Sequence, residues 1–289
     1  MYLPMDCQKY QFWRAVRPFS FTVALCACLT GIASAYAAGI VEPLLSVLVL
    51  LAGVLLQAGV NLINDYADLS LLRGRSCDGI AEAVARIRRN FRAGLACFAL
   101  AAVIAFYLIA QVGLALLWLC VVGLVGALTY TLNPVNYKAR GLGVVLVFWL
   151  MGVLMVAGSY LAVAGQLTET VIWQSVPISL LVSLLLLSNE LRDYEADRRD
   201  QIGTLTVRIG YERAVLLYRL LLAGSYLSVF LLWWQQLLPQ FWPLLLTLPV
   251  AIAPLRLLRK PAPERIPLTP KTGRLLTLFG IAYCVALIA

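Results

Sequence analysis

Apolar residues recur along this chain in nine long runs that are separated by short polar or charged segments. Each run has close to the ~20 apolar residues that an α-helix needs to cross a hydrocarbon core of about 30 Å. The pattern therefore predicts an all-α polytopic membrane protein with nine transmembrane helices in a single membrane-embedded domain over residues 1–289. The predicted helices cover about residues 17–38, 43–64, 93–111, 114–132, 142–164, 172–190, 214–234, 240–258 and 273–289.

The composition agrees with a membrane protein. Hydrophobic residues make up 62% of the chain and charged residues only 13%, whereas soluble domains carry about 25% charged residues. The first 17 residues are polar and aromatic, and a run of full spanning length follows them. This pattern favours a first transmembrane helix over a cleavable signal peptide.

The basic residues predict the topology. Cytoplasmic loops of membrane proteins collect Lys and Arg, and an N-terminus inside places all 23 of them on the cytoplasmic face. The opposite face keeps only Glu42 and Glu169. We therefore expect an integral multi-pass protein, in a bacterial inner membrane, whose N-terminus and active site are cytoplasmic.

The net charge of +9 is then mainly a topology signal. Its second consequence is attraction to anionic headgroups, so membrane lipids are expected partners. We expect no nucleic-acid partner, because the basic residues form no aromatic-interleaved domain outside the membrane.

Histidine is absent, and the seven cysteines include no CxxC pair. The commonest general base and the commonest transition-metal ligand are therefore missing, and neither a disulfide framework nor a zinc site is indicated. Catalysis would have to use carboxylates, a hard metal ion, Tyr, Lys or Arg.

Two acidic runs end the second and sixth predicted helices, and charged groups next to hydrocarbon usually mark a function. In each run an amide and two carboxylates are spaced by three or four residues, which places them on one helix face. These residues are Asn61, Asp65 and Asp68 in the first run and Asn189, Asp193 and Asp197 in the second. A single acid at a helix end could be a solvated cap or an arginine partner, but the repeated spacing favours a shared cation site.

The spacing predicts an Mg²⁺ site that holds a diphosphate, because Mg²⁺ binds through one or two carboxylates and the phosphates of a substrate. In a membrane the diphosphate is expected to belong to an isoprenoid whose tail lies among apolar helices. Nearby cations, namely Lys138, Arg140, Arg192 and Arg198, could stabilise the departing diphosphate. Lys138 and Arg140 could equally be ordinary positive-inside residues. Tyr130 is either an interfacial aromatic or a ring that shields an allylic cation.

Three further acids, Glu190, Glu195 and Asp200, point elsewhere on the sixth helix. We expect them to pair with nearby arginines, namely Arg192, Arg198 or Arg199. The segment 78–92 is predicted to be a separate short amphipathic helix, with Ile80, Val84 and Ile87 on one face.

At the acidic runs the chain resembles the UbiA superfamily of intramembrane prenyltransferases. Asn61-Leu-Ile-Asn-Asp-Tyr-Ala-Asp68 resembles its first aspartate-rich motif, and Asn189-Glu-Leu-Arg-Asp-Tyr-Glu-Ala-Asp197 resembles its second. The trailing Gly203-Thr-Leu-Thr-Val-Arg-Ile-Gly210 is most similar to the branch that prenylates 1,4-dihydroxy-2-naphthoate on the way to menaquinone. Thr129-Tyr-Thr-Leu132 and Arg140-Gly-Leu-Gly143 also resemble that branch.

The resemblance implies a nine-helix bundle around a central cavity. It implies that the four aspartates are catalytic and hold Mg²⁺ and diphosphate, that Asn61 and Asn189 support them, and that Lys138 or Arg140 contacts diphosphate. The implied reaction is Mg²⁺-dependent transfer of a prenyl group from an allylic diphosphate to an aromatic acceptor, which is a naphthoate, a quinone precursor or an aromatic secondary metabolite.

Two alternatives stay open at this point. A terpene cyclase on the same scaffold would act on the isoprenoid diphosphate alone. An ion-coupled transporter would use intramembrane carboxylates to bind its coupling ion, but it would place them nearer the bilayer midplane. The sequence leaves prenyl length, acceptor and oligomeric state open.

Overall fold

The computed structural model describes the backbone of residues 7–69, 79–131, 137 and 140–289, and the chain is helical through most of these ranges. Short 3₁₀ turns cover Cys7–Tyr10, Pro18–Ser20, Asp65–Asp68 and Ala262–Arg265. The α-helices are α1 Phe12–Val16, α2 Phe21–Ala37, α3 Pro43–Asn64, α4 Ile80–Val112, α5 Leu114–Thr131, α6 Gly143–Ala164, α7 Glu169–Arg199, α8 Leu205–Ile209, α9 Tyr211–Trp234, α10 Trp242–Leu245, α11 Leu248–Leu257 and α12 Leu268–Ile288.

Within the described ranges, seven helical stretches are long and apolar enough to cross a bilayer. They are Phe12–Ala37, Pro43–Asn64, Ile80–Val112, Gly143–Ala164, Glu169–Arg199, Tyr211–Trp234 and Ala262–Ile288. Shorter apolar stretches, Leu114–Ala127 and Trp242–Leu257, occupy the other two predicted positions. The prediction of a multi-pass helical membrane protein is confirmed, and the count of nine crossings stays a prediction.

The eighth predicted helix is not continuous. It is divided at Leu246 and Thr247 into α10 and α11. Pro249 lies in the first turn of α11, and a proline lacks the N–H that an uninterrupted helix would need at that position. α6 also departs from regular geometry, because Phe148–Val153 forms a π-helical turn.

The segment predicted to be a short amphipathic helix over residues 78–92 is helical from Ile80 and buries Ile87 as expected, but it is not a separate element. Ile80 begins α4, which continues to Val112 without a break. Its first turns are held by the N-terminal segment, since Ile87 is buried beside Tyr10 and the Asn90 amide donates to the Tyr10 carbonyl at 2.9 Å. These packing contacts let the basic surface helix and the apolar helix form one element.

Both acidic runs lie at one end of the bundle, called here the acidic end and defined by residues 61–68 and 189–200. The Asn61 amide near the end of α3 donates to Ser20 Oγ, just before α2, at 2.6 Å. The Arg192 guanidinium near the end of α7 donates to Thr269 Oγ1, at the start of α12, at 3.3 Å. At the acidic end, the C-terminal parts of α3 and α7 therefore lie beside the N-terminal parts of α2 and α12.

At the opposite end of the bundle, the start of α7 lies beside the ends of α9 and α12. The Gln174 side chain, near the start of α7, donates to the Leu237 carbonyl after α9 at 2.8 Å. The Tyr283 hydroxyl, near the end of α12, donates to the Gln174 carbonyl at 2.8 Å. The helices that carry the two acidic runs are thus oriented so that both runs face the same side of the bundle.

α2 lies inside the bundle, where it packs against α3, α6, α7 and α12. Its contact with α6 depends on Gly31. A Cβ at that position would lie 2.4 Å from the Val156 carbonyl oxygen and 2.8 Å from the Tyr160 nitrogen. Small residues permit such close approach of helices in membranes, so the absence of a side chain at Gly31 sets the distance between α2 and α6.

We expect Gly31→Ala to destabilise the fold by about 1–3 kcal/mol, since an added methyl would overpack a contact with backbone atoms that cannot move aside. Thermal unfolding of the purified protein in detergent measures the change. Gly158→Ala is the matched control on α6, because nothing lies within 4 Å of its added Cβ. Equal unfolding temperatures for the two variants would contradict this account of the packing.

Candidate active site

The first acidic run is held by the N-terminal segment. α3 ends at Asn64, and Asp65 begins the 3₁₀ turn that includes Asp68. Residues three apart lie one turn apart in a 3₁₀ helix, so backbone positions 65 and 68 keep the common face that the sequence predicts. Asp65 is buried, and its Oδ1 accepts from Arg17 Nη2 at 2.8 Å.

Asn61 lies one turn before Asp65 and is also buried. Its amide nitrogen donates to the Val16 carbonyl at 2.8 Å and to Ser20 Oγ. Its Oδ1 accepts only a long contact of 3.4 Å from Gln57 in the part of the chain described. The nitrogen is thus committed to holding α3 against the N-terminal segment, while the oxygen has remaining acceptor capacity.

The second acidic run lies on uninterrupted α-helix. α7 extends through Arg199, so Asn189, Asp193 and Asp197, spaced by four residues, occupy one helix face. All three side chains are partly buried. This shared face was predicted from the spacing, and the continuous helix confirms it.

Arg192 is placed beside this face. Its Nε donates to Asp193 Oδ1 at 2.8 Å and its Nη2 donates to Asp193 Oδ2 at 2.6 Å, so the pair is bidentate. Nη1 contacts Thr269 Oγ1. The guanidinium thereby joins the α7 carboxylate to α12 and places a cation directly beside the candidate ligand.

The segment after α7 folds back onto the acidic run. Thr204 Oγ1 donates to Asp197 Oδ2 at 3.4 Å and contacts Thr206 Oγ1 at 3.2 Å. The Thr206 N–H donates to Glu190 Oε2 at 3.1 Å. The buried Glu190 carboxylate thus accepts a backbone N–H at the start of α8. Its pairing with an arginine stays a prediction.

The Arg140 segment lies against the same returning segment. Gly141 has φ of +76°, and a Cβ there would lie 2.5 Å from Arg208 Cδ. Arg208 Nε in turn donates to the Gly203 carbonyl at 2.9 Å. The structure therefore brings the exposed Arg140 next to the residues that follow the second acidic run, and glycine at 141 permits both the turn and the close approach.

For three predicted site residues, the structure describes either nothing or the backbone alone. Lys138 falls outside the described residues. Asp68 and Tyr130 have described backbones, in the 3₁₀ turn and in α5, but their side chains lie outside the description. Their roles stay predictions.

Arg265 is a residue that the sequence analysis missed. It comes from the 3₁₀ turn before α12, yet its side chain is only 2% exposed. Its Nη1 donates to the Leu191 carbonyl at 2.9 Å, its Nη2 pairs with Glu195, and its guanidinium lies 4.5 Å from the Tyr211 ring centre. Leu191 and Glu195 flank Asp193 on α7, so Arg265 holds the turn that carries this aspartate.

Two further acids at the end of α7, Glu195 and Asp200, were expected to pair with arginines of that helix. Asp200 pairs with Arg199 at 3.1 Å, as expected. The described partner of Glu195 is Arg265, 70 residues later in the chain, and not an arginine of its own helix as expected. Nothing in the local spacing indicates this long-range pairing, and an arginine in a positive-inside loop looks unremarkable in sequence.

The donor set fits a hard cation such as Mg²⁺. Within the described part of the chain, no group of three or more His, Cys, Asp or Glu side chains lies close enough together to hold one metal ion. Mg²⁺ does not require such a cage, since one or two carboxylates with water and substrate phosphates suffice. Asp65, Asp193 and Asp197 offer oxygen donors of this kind.

Two of the clefts formed by described residues lie away from the acidic runs. One of about 400 Å³ lies at the opposite end of the bundle and includes Glu42 and Gln111. The other, of about 530 Å³, lies between α9 and the end of α11. The central cavity expected between the acidic runs stays a prediction.

The sequence of this chain is similar to those of known proteins. The family model described as the UbiA prenyltransferase family matches residues 24–269. "UbiA prenyltransferase domain-containing protein 1" of Homo sapiens is 30% identical over 289 residues, covering 98% of this chain and 84% of that protein. "1,4-dihydroxy-2-naphthoate octaprenyltransferase" of Escherichia coli (strain K12) is 32% identical over 231 residues, covering 75% of this chain and 74% of that protein.

Two solved structures show the same fold. A UbiA homolog from Aeropyrum pernix K1 superposes with a TM-score of 0.68 at 18% identity, covering 94% of this chain and 98% of that one. A UbiA homolog from Archaeoglobus fulgidus bound to GPP and Mg²⁺ gives a TM-score of 0.57 at 17% identity, covering 96% of this chain and 99% of that one.

We expect Arg265→Met to lower the unfolding temperature, because it removes a buried guanidinium with a hydrogen bond, an ion pair and a ring contact. Loss of a charge-assisted hydrogen bond corresponds to about 1.5–3 kcal/mol. Lys271→Met, in an exposed position on α12, is the control and should leave the unfolding temperature unchanged. If both variants unfold like the parent protein, Arg265 does not hold the end of α7.

Proposed function

Because the chain belongs to the UbiA prenyltransferase family, we propose that it transfers a prenyl group from an allylic isoprenoid diphosphate to an aromatic acceptor, with Mg²⁺ as cofactor. The observation that carries the proposal is the face of Asn189, Asp193 and Asp197 on α7, with the Arg192 guanidinium beside it. It combines metal-type oxygen donors with a cation suited to diphosphate.

The relatives support the substrate class. The Archaeoglobus fulgidus homolog was solved with GPP and Mg²⁺ and, separately, with DMAPP and Mg²⁺. The Escherichia coli relative is named for a naphthoate acceptor and an octaprenyl donor. For this chain we propose a naphthoate or quinone precursor on the way to menaquinone as first acceptor class, and an aromatic secondary metabolite as the second.

We further propose nine crossings around a central cavity, with the acidic end and the N-terminus on the cytoplasmic side. α5 and the broken α10–α11 segment would supply the two crossings beyond the seven long helices. The concentration of Lys and Arg near the acidic end supports this orientation. A bacterial inner membrane is the proposed location.

The described residues suggest how the chain would bind and activate the donor. Asp65 and Asp68 from the first run and Asp193 and Asp197 from the second would hold Mg²⁺ and, through it, the diphosphate. When bound, Mg²⁺ would stabilise negative charge on the departing diphosphate. Asn61 and Asn189 would support the carboxylates through their amide oxygens.

Arginines beside the acidic runs would supply positive charge to the diphosphate. Arg192 already lies against Asp193, and Arg17 lies against Asp65, so each guanidinium is near the place that the diphosphate would occupy. Donation from these cations, with Lys138 and Arg140, would offset charge that builds up on the leaving group. Cleavage of the allylic C–O bond leaves a carbocation, which the electron-rich ring of the acceptor attacks before losing a proton.

Tyr130 would lie at the end of α5 on the acidic side. An aromatic ring there would shield the cation from water through its π face. A terpene cyclase on the same scaffold is the alternative enzyme, and it would form product from the diphosphate without an acceptor. An ion-coupled transporter is a less favoured alternative, because the carboxylates lie at helix ends.

We expect Asp193→Asn to lower diphosphate release by about 100-fold or more, since it removes a carboxylate that would hold the metal–diphosphate unit. Release is measured with purified protein, an allylic diphosphate, Mg²⁺ and a panel of phenols and naphthoates. Removal of Mg²⁺ with a chelator should give a similar loss, restored when Mg²⁺ is added back.

The matched control is Asp200→Asn, which makes the same change at an exposed position three residues beyond Asp197, where the carboxylate pairs with Arg199. It should behave like the parent protein. Product that forms without any acceptor would favour the cyclase. No diphosphate release with any acceptor would overturn the proposed function.

A further inference from the structure

We propose that the cleft between α9 and the end of α11 binds the phosphate of an anionic phospholipid headgroup. The cleft encloses about 530 Å³ and lies apart from the candidate active site. Its lining includes Tyr211, Glu212, Arg219, Leu258, Arg259 and Lys260. Basic clefts between transmembrane helices on the cytoplasmic side are typical binding sites for anionic headgroups.

One wall of the cleft is a single stripe of α9. Glu212, Val215 and Arg219 are spaced by three and four residues, so they lie on one helix face. Arg219 is eight residues from the start of α9, which is about 12 Å along the helix axis. Its Cα therefore lies within the apolar part of the helix and not in the loop that precedes it.

The other wall is the turn that ends α11. The Tyr211 hydroxyl donates to the Leu258 carbonyl at 2.8 Å and joins the two walls. The Tyr211 ring also contacts the buried Arg265, which is itself bonded to α7. Because these contacts fix the walls, the cleft is preformed, and a ligand would not have to order it.

The charges in the cleft favour an anion. The Arg219 and Arg259 side chains are exposed, and among described residues neither side chain has a hydrogen-bond or ion-pair partner. Lys260 pairs with Glu264 at 3.1 Å, and Glu212 is the acid of the lining. With both acids counted, the three cations leave a net positive charge, which matches a phosphodiester of one negative charge. A guanidinium fork binds phosphate oxygens in pairs.

The surroundings favour a lipid over a soluble anion. Leu216 and Leu220, which neighbour Arg219 along α9, are 54% and 59% exposed. In a membrane protein such residues face acyl chains, so a phospholipid could lay its chains along α9 while its phosphate occupies the cleft. A soluble phosphate would gain nothing from this apolar surface.

The test uses the full-length protein in detergent and counts bound phospholipid by native mass spectrometry during titration with phosphatidylglycerol or phosphatidylcholine. We expect tighter binding of phosphatidylglycerol to the parent protein. The double variant Arg219→Gln/Arg259→Gln should weaken that binding by about tenfold or more, since it removes two charge-assisted contacts. No prenyl transfer is needed, so the result does not depend on the proposed function.

Arg213→Gln is the matched control, because Arg213 is exposed on the same helix but does not line the cleft. It should bind phosphatidylglycerol like the parent protein. Size-exclusion profiles and unfolding temperatures show whether each variant is folded, and Arg219→Lys/Arg259→Lys, which keeps the charge, should retain most of the binding.

Three outcomes would overturn the proposal. One is equal weakening by Arg213→Gln, which would indicate general attraction to a basic surface. Another is equal binding of the two lipids by the parent protein. The third is displacement of phosphatidylglycerol by millimolar inorganic phosphate, which would assign the cleft to a soluble anion.

Discussion

Carboxylates at the end of an apolar helix need partners, because an unpaired charge next to hydrocarbon is costly. In this protein Asp65, Asp193 and Glu195 each contact a guanidinium, from Arg17, Arg192 and Arg265 respectively. Two of these arginines come from other parts of the chain. The pairs therefore connect the helix ends that carry the acidic runs to the N-terminal segment and to the turn before α12.

The end of α7 depends most on such contacts. Arg265 contacts it on one side, Thr206 donates to Glu190, and Thr204 donates to Asp197. A helix end held at several points keeps its side chains in place, and precise placement is what positioning of a diphosphate requires. This ordered helix end matters for the proposed function because it carries the candidate metal ligands Asp193 and Asp197.

The sequence was sufficient for the features that depend on local periodicity. Apolar runs predicted the membrane helices, and residues four apart predicted the shared face of Asn189, Asp193 and Asp197. Periodicity also predicted the apolar face of Ile80, Val84 and Ile87, but not the unbroken continuation of this helix to Val112. The contact of Glu190 with Thr206 and the pairing of Glu195 with Arg265 were missed because both are long-range, and the chain must return from α8 and from the turn before α12 to supply them.

We propose above that the ends of α3 and α7 would hold one diphosphate between them through a shared Mg²⁺ site. Electron paramagnetic resonance of Mn²⁺, titrated in place of Mg²⁺ with a non-hydrolysable allylic diphosphate analogue, tests it most directly. We expect analogue-dependent Mn²⁺ binding that is lost in Asp65→Asn and equally in Asp193→Asn. Full binding in either variant would show that the two acidic runs do not share a metal–diphosphate site.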